Sequence, residues 1–176
     1  MAANKIPEVI NDMRVYVDGE DTCMGVATVE LPSITCMTQS VSGIGMAGEV
    51  DSPVLGHFES METVLNWRTP TPRAIAMSGG AAVALECRAA IQNWDSGANS
   101  YVMDSYRIVI RGRAKEFKAG SLESANTSDS SNTIETTYLK IELNGETIRM
   151  IDKYGYIDST NGVNSLDTVR QALGLG

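Results

Sequence analysis

Arg107, Arg111, Arg113 and Lys115 fall at even spacing, so an extended strand would carry all four cations on one face. Such a stripe has two chemical uses. It can grip phosphates by displacing their counterions, or it can line a solvated sheet face and pair with carboxylates of a neighbouring strand or subunit. The chain holds 22 Asp and Glu against 14 Lys and Arg, and that excess of acid favours pairing. Nucleophilic catalysis would need His57, the sole histidine, but no acid is placed to orient its ring. Gly43, Gly45 and Gly48 superficially resemble a nucleotide loop, yet they do not form a GxGxxG turn opening a helix. Glu20 and Asp21 sit beside a turn and read as a solvated pair. Cys23, Cys36 and Cys87 show no CxxC spacing, and one histidine cannot complete a zinc set. They are expected as buried, reduced thiols. No catalytic, metal or cofactor set is therefore expected.

The elements that position these residues belong to a single domain. A chain of 176 residues, 43% hydrophobic and 20% charged, can bury a core without disulfide staples. No apolar run approaches a membrane span, and MAANKIPEV lacks the apolar core of a signal peptide, so synthesis and folding in a cytoplasm are expected. The net charge of −8 is uneven. Residues 1–58 carry −6, residues 59–118 carry +2 and residues 119–176 carry −4.

Period-two alternation dominates, the mark of antiparallel strands with one buried and one wet face. Met13, Val15 and Val17 alternate with polar residues before an Asp18-Gly19 turn. Met61, Thr63, Leu65 and Trp67 repeat the pattern, as do Val83 to Ile91 and Tyr106, Ile108 and Ile110. Val83, Cys87 and Ala90 also fit helical spacing, but the unbroken alternation favours a strand. Asn144-Gly145 suits a type I′ turn. A two-residue loop there pairs Leu143 with Glu146, Glu142 with Thr147, Ile141 with Ile148, Lys140 with Arg149 and Leu139 with Met150. Short helices are predicted over Pro72–Met77 and over Ser165–Leu173. The second is capped by Asn164 or Ser165, ends at Gly174, and has Leu166, Val169 and Leu173 as its apolar stripe.

Two stretches read as irregular. Residues 119–133 are rich in Ser, Thr and Asn and read as a flexible surface loop. Residues 40–59 carry four glycines yet also Ile44, Met46, Val50, Val54, Leu55 and Phe58. A solvated linker does not carry so much apolar surface, so this stretch reads as an extended arm that packs on another surface.

Several segments occur in an order that resembles the major tail tube protein of contractile-tailed bacteriophages. GVATVELPSI (Gly25 to Ile34) follows an N-terminal hairpin, and GIGMAG (Gly43 to Gly48) is similar to that family's Gly-x-Gly-Met-x-Gly arm. RGRAKE (Arg111 to Glu116), the Asn-Gly hairpin, IDK (Ile151 to Lys153) and NGVNSL (Asn161 to Leu166) complete the series. The chain departs from the pattern around Val54 to Phe58 and at Asn164, where Asp is expected.

The resemblance implies a mainly β subunit, an antiparallel barrel or sandwich with a short flanking helix and a short C-terminal helix. Six copies would form a ring whose inner strands join into one continuous barrel, and rings would stack into a tube in the virion tail. Implied partners are further copies, the contractile sheath protein, baseplate and tail-terminator proteins, and a tape measure protein in the lumen. DNA would pass without adhering, and no stable membrane association is implied. Gly43, Ile44, Gly45, Met46, Gly48, Val54 and Leu55 are the expected contacts between subunits or rings. Glu62, Glu86 and Glu142 are candidate lumen-facing acids that would repel DNA. A similar tube serves headless phage-tail-like bacteriocins and other contractile injection systems, and a monomeric ligand-binding β-barrel or an unrecognised hydrolase is the reading from a different class.

Overall fold

Apolar and polar residues alternate along most of this chain, and in the computed structural model they become strands. The structure describes residues 4–21 and 25–175, with the backbone alone at 20 and 21. The first half runs β1 Lys5–Val17, β2 Glu20–Asp21, β3 Val26–Glu30, β4 Cys36–Val41, β5 Val50–Phe58, β6 Glu62–Trp67 and helix α1 Pro72–Ala76. The second runs β7 Ala82–Asp95, β8 Ser100–Lys118, β9 Ser130–Leu143, β10 Glu146–Asp152, β11 Ile157–Thr160, β12 Val163–Asn164 and helix α2 Asp167–Ala172. Every strand pairing is antiparallel.

Ten strands form one sheet whose main path is β12-β11-β10-β9-β8-β7-β1-β2. The sheet forks at β9. Its first half pairs with β6, which carries β3, and its second half pairs with β10. Among the described residues the path does not close on itself, so the antiparallel β class stands but one copy forms no closed barrel. Among the described residues no helix is long and apolar enough to cross a membrane.

The core collects the inward residues of β1, β6, β7, β8 and β9 around α1: Val15, Val17, Leu65, Trp67, Val83, Leu85, Ile108, Ile110, Ile134 and Leu139, with Ala74 and Met77. Each fully buried aliphatic side chain here contributes about 1.5–3 kcal/mol. Val83, Leu85 and Cys87 point into it together, which only a strand allows. Thr71 caps α1 by accepting from the Ala74 N–H at 3.1 Å.

Three expectations need correction. Asn144 (φ 50°) and Gly145 (φ 84°) make the expected turn, and Leu143 and Glu142 face Glu146 and Thr147. A bulge at Ile148 then shifts the register, so Leu139 faces Ile151 rather than Met150. The physical reason is burial, because the shift delivers Ile151 to a fully buried position. The stretch 119–133 is not all surface loop. Ser130 to Thr133 open β9, Ser130 and Asn132 are fully buried, and Ser128 N–H donates to the Arg68 carbonyl at 2.8 Å. Its polar side chains have buried work: Asn132 accepts from Trp67 Nε1 at 2.8 Å and donates to the carbonyls of Ala74 and Met77 at 3.0 and 2.6 Å. The C-terminal helix begins at Asp167 without a side-chain cap. Asn164 is spent on the preceding turn, accepting from the N–H groups of Asp158 and Leu166. Of the expected stripe, Leu166 is buried, Val169 half-buried and Leu173 exposed.

Candidate assembly surfaces

The stretch read as an irregular arm is a β-hairpin. β4 and β5 form their own two-stranded sheet, with Val41 opposite Val50 and Ser40 opposite Asp51. Gly43, Ile44, Gly45, Met46 and Gly48 make the loop at its tip, and Gly45 takes φ 94°. Ser40 bonds Glu49 across that loop. Val54 and Leu55 lie further down, on β5. Every side chain of β4 is exposed, as are Ile44, Met46, Val50, Val54 and Leu55, the last at 64%. A two-stranded hairpin is marginal in water by itself. One that displays a run of uncovered apolar side chains has the character of a surface made to be covered.

Among the described residues the arm is tied down only at its root. Glu59 N–H donates to the Thr35 carbonyl at 2.9 Å, and Lys153 Nζ donates to the Glu59 carbonyl at 2.9 Å. Gly56 takes φ +74° and lies so close to Leu166 that a Cβ would stand 2.6 Å from a leucine methyl. Pro53, the glycines and the bulge between Cys36 and Thr38 hid the hairpin from a periodicity reading.

The second surface is the polar face of the large sheet. Glu62, Glu86 and Glu142 all lie on it, turned away from the core, and each is met by a cation. Arg107 grips Glu86 with two bonds, Nε to Oε1 at 2.8 Å and Nη2 to Oε2 at 3.0 Å, and reaches Glu142 with Nη1 at 2.7 Å. Arg88 adds a 2.6 Å bond to Glu86, and Lys140 lies 2.5 Å from Glu142. Lys115 pairs with Glu62. The result is a chain of alternating charge across β7, β8 and β9. The Arg107 fork, outweighing partial burial, and then Arg88 hold the Glu86 carboxyl down at about 2. Lys140 first and Arg107 second hold Glu142 below the usual carboxylate range. These acids therefore do not form a bare negative lining.

Half of the expected cation stripe behaves as a paired sheet face. Arg107 and Lys115 have carboxylate partners, whereas Arg111 stacks over the Tyr138 ring at 5.1 Å and Arg113 makes no ion pair among the described residues. Sequence reasoning missed a third surface. Past the core, β1, β7 and β8 continue as a ribbon that exposes Ile6, Val9, Ile10, Tyr101 and Met103. Along Lys5–Met13 no strand borders the outer edge of β1 among the described residues, because β2 meets it only at Tyr16 and Val17. The signal was the alternation of β7 and β8 running on beyond the residues a core could cover.

Residues considered for chemistry lie apart from these features. His57 is exposed on β5, and the glycines of the tip lead into a strand rather than a helix. Cys87 is buried, and desolvation followed by the neighbouring Glu86 charge pushes its thiol up to about 11. Cys36 is exposed, which corrects the expectation that it would be buried. Cys23 and the side chains of Glu20 and Asp21 lie outside the described residues. Among the described residues no group of three His, Cys, Asp or Glu could hold a metal ion.

Comparison with known proteins bears on these surfaces. The family described as "Phage tail tube protein FII" matches residues 7–174. The "Tail tube protein" of Escherichia phage P2 is 29% identical over 175 residues, covering 97% of this chain and 99% of that protein. The "Major tail tube protein" of Serratia phage KSP20 is 24% identical over 172 residues, covering 97% of this chain and 98% of that protein.

Proposed function

The chain belongs to the phage tail tube protein FII family, and from that premise we propose that six copies close into a ring and that rings stack into a hollow tube driven through the bacterial envelope by a contractile sheath. Its place is the virion tail, and its role is structural. The whole chain acts as one tube domain with the 40–59 hairpin as its reaching arm.

The observation that carries this reading is the exposed apolar hairpin in a chain that also leaves sheet edges open. A free edge invites pairing, and closing strands of several copies around an axis removes that liability. A head-to-tail contact generates a ring when its rotation closes, and a second contact that does not close generates a filament. The arm supplies the second contact through Gly43, Ile44, Gly45, Met46, Gly48, Val54 and Leu55.

The polar face that carries Glu62, Glu86 and Glu142 lines the channel. Glu62, Glu86 and Glu142 are each paired with a cation, so the wall offers DNA few free charges once Arg111 and Arg113 on the same face are covered by another copy. Passage without adhesion follows from this pairing rather than from simple repulsion. Sheath, baseplate, tail-terminator and tape measure proteins are the further partners of such a tube, and no chemistry is performed on the cargo.

Deletion of Gly43 to Leu55 tests the reading. The expected product is a folded monomer that does not polymerise, and normal tubes from this variant in negative-stain images would reject the role of the arm.

A further inference from the structure

Resting on the tube reading above, a mismatch of charge within one copy identifies where the arm lands. No Lys or Arg occurs between Arg14 and Arg68, while eight Asp and Glu do. The arm lies wholly inside that span. Its Glu49 and Asp51 are exposed near the tip, and neither makes an ion pair among the described residues. Elsewhere most of the cations are paired. Lys5, Arg73, Arg88, Arg107, Lys115, Lys118, Lys140, Arg149 and Lys153 all have a carboxylate within 4.0 Å.

Arg111 and Arg113 are the adjacent exceptions. Both are exposed on the polar face of β8, two residues apart. Alanines at 84 and 82 face them on β7, and Tyr138 and Glu135 face them on β9. Glu135 is not free to serve Arg113. Partial burial opposes its ionisation, but the Ser60 hydroxyl at 2.5 Å and Lys153 at 3.4 Å engage it and hold its carboxyl low. A shallow groove of about 320 Å³ runs beside the two arginines, floored by Ala82, Ala84 and Gly112 and walled by Tyr154, itself 70% exposed. Asp18 borders the groove, but Arg73 holds it. The two alanines leave space for apolar side chains, and two guanidinium groups without a carboxylate partner among the described residues stand at the rim, that of Arg111 stacked on Tyr138.

We propose that the arm of one copy lies in this groove of a second copy, with Glu49 and Asp51 meeting Arg111 and Arg113. Arm and groove complement each other in both polarity and charge, and a charge pair of this kind fixes register and suppresses wrong partners. Nine residues of β5 span about 30 Å, enough to reach a neighbouring subunit. The remaining cations without a carboxylate partner fit less well. Arg68 makes no ion pair among the described residues and has no second such cation beside it in sequence, and Arg170 is taken by the carbonyls of Gly155 and Leu175.

Charge exchange tests the proposal. Tube formation by the unsubstituted chain is measured first, by sedimentation and negative-stain microscopy; its failure would count against the tube reading itself. The pair Arg111→Glu with Arg113→Glu, and the pair Glu49→Lys with Asp51→Lys, are each expected to lower sedimentable polymer at least ten-fold while circular dichroism stays native. Combining all four is expected to restore tubes. Normal polymer from either pair, or a folded four-fold variant that stays monomeric, would overturn the contact. A second measurement decides the matter if the four-fold variant misfolds. Chains carrying Asp51→Cys are mixed with chains carrying Arg113→Cys, both in a Cys36→Ser background, and oxidised after assembly. A disulfide between the two substituted positions supports the docking, and its absence from assembled tubes overturns it.

Discussion

Gly56 in the arm and Leu166 at the entrance to the C-terminal helix occupy one another's space: a Cβ on Gly56 would lie 2.6 Å from a Leu166 methyl. Leu166 is 2% exposed, so the contact is part of the folded interior. Through it a helix of six residues sets the direction of a hairpin that begins more than a hundred residues earlier.

Substitutions at this contact separate fold from assembly. Gly56→Ala should cost about 1–2 kcal/mol, since φ +74° is strained for any residue with a Cβ. Leu166→Ala should cost about 2–4 kcal/mol and loosen the root of the arm. Denaturant titration reads both losses. Limited proteolysis should show faster cleavage in the 42–49 loop of Leu166→Ala, and unchanged cleavage would show that this leucine does not anchor the arm.

Asn132 is the polar keystone of the core. Asn132→Ala leaves the Trp67 Nε1 donor and the carbonyls of Ala74 and Met77 without their partner. A loss of about 3 kcal/mol is expected, because buried groups left unpaired cost more than the bond itself is worth. A calorimetric Tm shift of several degrees would be the readout. A Tm unchanged from the parent would show that these groups find other partners.

The ion ladder predicts an acid limit. The Glu86 carboxyl has an ordinary value of 4.5 and is lowered to about 2 in the folded chain by Arg107 and Arg88. A depressed carboxylate contributes stability above its unfolded value and loses it as pH falls through the folded one. Stability should therefore decline between about pH 4.5 and pH 2, and Glu86→Gln should flatten that part of the profile. Parallel acid profiles for parent and variant would show that the fork adds nothing to the fold.

The two described thiols should separate by reactivity. Cys36 is exposed, whereas Cys87 is buried with its thiol held neutral up to about 11. An aromatic disulfide reagent at neutral pH should modify Cys36 in the native state and spare Cys87 until unfolding. Equal rates at both would contradict the burial of Cys87.

Much of this fold was legible because alternation is a local property. Thr63, Leu65 and Trp67, or Val83, Leu85 and Cys87, announce a buried face without reference to any distant residue. The misreadings share one physical cause, dependence on contacts far along the chain. Nothing near Ile148 signals a bulge; the choice is made by the burial that Ile151 gains. Ser130 and Asn132 look like loop residues until Trp67 and α1 supply their partners. The arm was found by its excess of apolar side chains, but its pairing was hidden because neither strand has a buried face to impose alternation. Its landing site became visible only when the paired and unpaired arginines of β8 could be told apart.

The central claim is that one copy is structurally incomplete and finds its missing neighbours in sister copies around a hollow axis. Electron microscopy of the purified chain across a rising concentration series tests it most directly. Stacked rings with an open channel are the predicted result. A monomer that persists at every concentration, with no ordered self-association, would contradict the account.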